Sequence, residues 1–154
     1  MNQKKTKSMS DLSNIFAEVL KNGGSFKLKV KGMSMYPLIR SNVDSVVLKA
    51  KPDVKKYDIV LYKRNNSAYV LHRIVKAKNG AFWLAGDFET SKEYPVYPQQ
   101  IVAAVTSIWR GDREISCNSM FYQLYARVWV FIMPFRFTVV RSLRRMKKWA
   151  TARR

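Results

Sequence analysis

Between Ser25 and Arg110 the chain breaks into short apolar runs separated by turn residues, and this restricts the fold more than any other feature. Phe26, Leu28 and Val30 alternate with Lys27, Lys29 and Lys31, the period of a strand with one buried face. Further strands are expected at 44–49, 58–63, 68–76, 81–85 and 101–109. Turns are signalled by Lys51-Pro52-Asp53, Asn65-Asn66-Ser67, Lys78-Asn79-Gly80 and the proline-rich Tyr94–Pro98. Many short strands with such punctuation argue for an antiparallel β domain, coiled or barrel-like.

Two helical segments flank it. Ser10-Asp11-Leu12-Ser13 offers N-cap candidates for a short helix through Ile15, Phe16, Val19 and Leu20, with Asn22-Gly23-Gly24 as the stop. Residues 1–10 read as a polar, frayed end. At the other end, 120–148 reads as one long helix or two broken near Pro134. The expected organisation is therefore 1–24 as tail and short helix, 25–115 as the β domain, and 116–154 as a basic, aromatic helical tail.

At 154 residues, 47% apolar and 13% aromatic, the chain suits one folded domain with a real core. One cysteine (Cys117) and one histidine (His72) exclude an internal disulfide and argue against a zinc site. No cofactor is implied. No secretory signal opens the chain, and no run of about 18 uncharged apolar residues marks a membrane span.

Chemistry points to Gly32-Met33-Ser34-Met35-Tyr36-Pro37. Gly32 permits close approach or a positive φ, and Pro37 stops a regular element from continuing. A small hydroxyl is thus presented at a turn among apolar neighbours, as a nucleophile requires, although most serines at turns are only turn residues. His72 lies in the apolar strand Val70–Val75, and Asp87 follows Gly86 at a strand end. Taken singly, the histidine reads as a core residue, and Asp44 and Asp58 read as turn caps. Together, a serine, a histidine and an aspartate form a set suited to acyl transfer.

Four ordered boxes, Gly32–Pro37, Asp58-Ile59-Val60-Leu61-Tyr62, His72-Arg73-Ile74-Val75 and Gly86-Asp87, resemble those of the serine-peptidase superfamily that joins type I signal peptidases to the LexA-type self-cleaving repressors. The resemblance covers roughly residues 25–110 and implies a coiled, mostly antiparallel β domain. It further implies a signal-peptidase-like serine endopeptidase acting through an acyl-serine intermediate. Ser34 matches the nucleophile. His72 stands where bacterial enzymes carry a lysine base, and its box is similar to that of archaeal and endoplasmic-reticulum signal peptidases. Asp87 would orient His72. Backbone around Ser34, with Met33, Met35 and Pro37, would bind the oxyanion and substrate. The sequence departs from the pattern at Gly32, where signal peptidases supply a hydroxyl, and at Val43-Asp44 and Tyr57-Asp58, where Gly-Asp pairs are usual. Phe88 replaces the usual asparagine. A catalytically silent peptide- or membrane-binding module of the same fold is the alternative.

The residues ahead of the β domain are too few for a helix-turn-helix domain, and no N-terminal anchor is visible. The reading is a small, stand-alone enzyme processing a dedicated peptide precursor. The formal charge of +19 attracts anionic surfaces or nucleic acid without choosing between them. Trp, Tyr and Phe beside Arg and Lys in 120–148 suit an anionic membrane surface. Arg127 and Arg136 lie about 180° apart on a helix, which spoils a single polar stripe. Clustered aromatics and the lack of a recognised motif argue against nucleic acid. The expected location is cytoplasmic, or peripheral on the cytoplasmic face of a membrane.

Overall fold

A computed structural model describes Phe16 and residues 18–151, with side chains through Phe135 and at Thr138. The proposed caps at Ser10–Ser13, Ile15, the frayed end and the basic side chains of Arg136 and beyond Thr138 lie outside the described residues or side chains. The first helix, α1, closes at residues 18–21. Gly23 then takes φ 72°, and the N–H groups of Gly23 and Gly24 donate to Leu20 and Val19 carbonyls. This is the glycine stop expected of that segment. Phe16 stacks on Phe26 at 4.1 Å, and Leu20 is buried, so α1 covers one end of the sheet.

Eight antiparallel strands follow: β1 (Ser25–Lys29), β2 (Ser45–Lys49), β3 (Ile59–Lys63), β4 (Tyr69–Lys78), β5 (Ala81–Ala85), β6 (Glu93–Val96), β7 (Ile101–Arg110) and β8 (Arg113–Ser116). Their order is β1-β2-β7-β3-β4-β5-β6, with β8 also on β7. The sheet is open, with β1 and β6 at its edges, and is not closed into a barrel. Register shifts interrupt four of the pairings, between Val47/Leu48, Leu61/Tyr62, Ile74/Lys76 and Phe82/Leu84. Bulges of this kind bend and twist strands, and they coil the sheet.

Six strands lie where alternation places them, and two do not. β6 falls within the stretch read as a turn, because Tyr94-Pro95 punctuates it. Proline is tolerated there because β6 is an edge strand with a free side. β8 is a short return of β7 through Gly111-Asp112, with Arg110 opposite Arg113.

The sheet is buried on both faces. Ile59, Leu61 and Leu71 join one core with Met35, Ile39, Tyr122 and Ala126, whereas Val60, Tyr62, Ile74 and Leu84 form another. Alternation sends consecutive side chains to opposite faces. His72 thus lies near Tyr62, while Arg73 reaches towards the C-terminal helix. That helix, α2 (Met120–Thr151), is continuous through Pro134, where the missing N–H forgoes one helical hydrogen bond. Met133 and Val130 pack it onto Val75, Trp83 and Ala85.

Candidate active site

The loop carrying Ser34 leaves β1 through Lys31 and is fastened from below. Met35 and Ile39 are buried, and Tyr36 N–H and Ile39 N–H close turns onto Met33 and Met35 carbonyls. Gly32 takes φ 94°, a conformation open to glycine without strain. Tyr36-Pro37 is cis. Past the turn, Asp44 accepts from Arg40 N–H and from its guanidinium. Burial alone would raise the Asp44 pKa, but these hydrogen bonds win and lower it. Asp58 likewise accepts from Lys55 N–H and Lys51, so both aspartates act as turn caps.

Ser34 itself is half-buried. Its carbonyl accepts from Phe88 N–H at 2.7 Å, which ties the serine turn to the loop leaving β5. Gly86 makes this approach possible. A Cβ there would lie 2.6 Å from Ser34 O and 3.0 Å from Ser34 Cβ and Glu89 Cγ. Gly32, Met33, Ser34, Phe88, Glu89, Thr90 and Ser91 line a groove of about 490 Å³. Tyr36 meets Phe88 edge-on at 5.7 Å along the rim.

His72 stands on β4 opposite Val60 and is 1% exposed. Its Nδ1 faces Tyr62 Oη at 3.3 Å and Glu93 Oε1 at 3.4 Å. Its Nε2 lies 3.5 Å from Glu89 Oε2 and has no hydrogen-bond partner. Thus the loop that holds Ser34 also brings Glu89 to the imidazole. A direct Ser34–His72 hydrogen bond is not formed. Burial lowers the His72 pKa from its usual value; Glu89 and Glu93 oppose this, Arg64 adds to it, and Asp87 opposes it. The net direction favours a neutral ring. Arg64 clamps Glu93 with Nε and Nη2. Against burial, hydrogen bonds from Arg64 and Tyr62 hold the Glu93 pKa below its ordinary value.

Asp87 is placed beside this cluster but gripped by Arg73. Nε and Nη2 of Arg73 donate to its two carboxylate oxygens at 2.9 and 2.7 Å, and both residues are fully buried. Arg73 also donates to Tyr57 O and Tyr122 Oη on α2. Burial, which lowers an arginine pKa, is overcome by Asp87, and the Arg73 pKa is raised. Tyr57 sits at φ 83°, a conformation that glycine adopts without strain.

The sequence did not single out Glu89 or Glu93. With His72 they could hold a metal ion, their ligand atoms lying within 4.8 Å of one another. The clamp of Arg64 on Glu93 works against a cation there. Cys117 is buried, and its thiol pKa is pushed up to about 11 by burial, which makes it a poor nucleophile.

An antiparallel, coiled β domain that brings a turn-borne serine and a buried histidine to one loop fits the peptidase class. The profile of the Peptidase S24-like family matches residues 3–106, and the chain belongs to that family. Comparison with curated proteins gives no match.

Proposed function

We propose that the chain is a serine endopeptidase in which Ser34 attacks the peptide carbonyl and His72 takes its proton. The observation that supports this reading is the buried imidazole of His72, whose Nε2 makes no hydrogen bond and lies 3.5 Å from Glu89, a residue that lines the groove together with Ser34. Burial keeps the imidazole neutral and able to accept a proton. With Glu89 turned away, a proton on Nδ1 would be held by Glu93, 3.4 Å away, and the lone pair would fall on Nε2. Glu93 therefore does the orienting expected of Asp87, and Asp87 acts one step further out by locking Arg73. Glu89 holds the ring in the resting state. A rotation of its side chain into the groove opens Nε2 to Ser34.

Attack by Ser34 Oγ forms the C–O bond and moves its proton to His72 Nε2. Collapse of the tetrahedral intermediate returns that proton to the leaving amine. Water, deprotonated by the same nitrogen, then hydrolyses the acyl-serine. Backbone N–H groups of the Ser34 turn supply the oxyanion contacts; Pro37 has no N–H and can only shape the loop. Met33, 53% exposed on the rim, offers an apolar contact to substrate. The substrate class is a peptide or protein precursor, handled near the cytoplasmic face of a membrane. Labelling with a fluorophosphonate tests the assignment. A single adduct on Ser34 that is lost in His72→Ala is expected. A folded protein that takes no adduct at Ser34 would return the chain to a binding role.

A further inference from the structure

The outward face of α2 carries Phe121, Leu124, Val128, Phe131 and Phe135, spaced three and four residues apart. They are 84%, 60%, 50%, 74% and 68% exposed. The residues that bury α2 against the sheet, Tyr122, Ala126, Val130 and Met133, lie on the opposite side, roughly 175° away at 100° per residue. A helix covering a sheet ordinarily turns a polar face outward. Here the far face is an apolar stripe about 21 Å long, and a continuous exposed stripe of this kind marks an interaction surface.

Charge narrows the occupant. From Met120 to the end there are nine Lys and Arg residues and no acidic one: Arg127, Arg136, Arg141, Arg144, Arg145, Lys147, Lys148, Arg153 and Arg154. A second copy docked on the stripe would bring like charge to like charge, with no acidic partners along the seam. Nucleic acid would meet the charge and could stack on a phenylalanine, but it would leave a continuous apolar stripe that includes Leu124 and Val128 without a counterpart. An anionic lipid surface satisfies both, since acyl chains take the stripe and headgroups take the cations. No helix among the described residues is long and apolar enough to cross a membrane. We infer that α2 lies in the plane of an anionic monolayer with Phe121, Leu124, Val128, Phe131 and Phe135 inserted. The inner face of the same helix touches Arg73 through Tyr122, so docking fixes the β domain close to the surface.

Flotation of the full chain with phosphatidylglycerol–phosphatidylcholine vesicles tests this against phosphatidylcholine alone. Wild type should float with the anionic vesicles only. A Phe121→Ser, Phe131→Ser, Phe135→Ser triple variant should bind at least about tenfold less. Phe131→Glu gives the same readout if the triple variant does not fold. Equal binding by wild type and a folded variant overturns the inference. So does a lipid-free dimer that these substitutions dissociate, or retention on single-stranded DNA that they abolish while vesicle binding stays unchanged. Ser34→Ala should float like wild type, and stripe variants should keep fluorophosphonate labelling, so failure of docking and failure of the peptidase reading are told apart.

Discussion

Gly86 shows how one residue sets the site. Its missing side chain lets the β5 exit touch Ser34, and the closest neighbour of an added Cβ is a backbone oxygen at 2.6 Å, which cannot swing away. Gly86→Ala should therefore displace the serine turn and slow Ser34 labelling by about tenfold or more, with little change in secondary structure. His72 makes a second prediction through pH. Its folded pKa lies below the ordinary 6.5, so the acid limb of labelling should fall below pH 6.5. Glu93 raises that pKa, and Glu93→Gln should move the limb to still lower pH while slowing the rate by up to about a hundredfold, through loss of Nδ1 orientation. The depressed pKa has a stability consequence too. The unfolded chain binds the proton more readily, so the His72 contribution is fully present above pH 6.5 and is lost as pH falls towards the folded value. The difference in melting temperature between wild type and His72→Gln should therefore be constant above that pH and change below it, as wild type alone loses stability.

At the scale of elements, β4 carries two buried ionisable side chains to opposite faces. His72 faces Tyr62, Glu89 and Glu93, while Arg73 joins Asp87 at the β5 exit to Tyr122 at the start of α2. Asp87→Asn leaves the Arg73 charge without its partner and should cost about 3–5 kcal/mol, read from the urea midpoint. How well each element could be read follows from what makes it. β1 to β5 and β7 were legible because alternation and turn chemistry are local. β6 was hidden by Pro95, and β8 by its four-residue length and polar sequence. The serine, histidine and aspartate were legible as ordered boxes, but the partners of the histidine were not. Glu89 and Glu93 reach His72 only through the β4–β5–β6 meander, and they carry no periodic signal. A hint existed in composition, since three of the chain's ten acidic residues, Asp87, Glu89 and Glu93, fall within seven positions.

Across the whole molecule, the two faces of the sheet divide the work. One face and the β5–β6 loop hold a groove lined by Ser34 and Glu89, with Glu89 reaching the buried His72, and the other receives a basic helix whose outer side is apolar. The length and cationic character of that helix were visible in the sequence, but its stripe was not, because the inner face is known only once Tyr122 and Met133 are seen to pack. Proteolysis through Ser34 and His72 is the central claim. The most direct test compares peptide termini in cells expressing wild-type, Ser34→Ala and His72→Ala proteins at equal levels. Termini present with wild type and absent from both variants are predicted, and their sequences would identify the substrate. Identical termini in all three would contradict the claim and leave a β-domain binding module in its place.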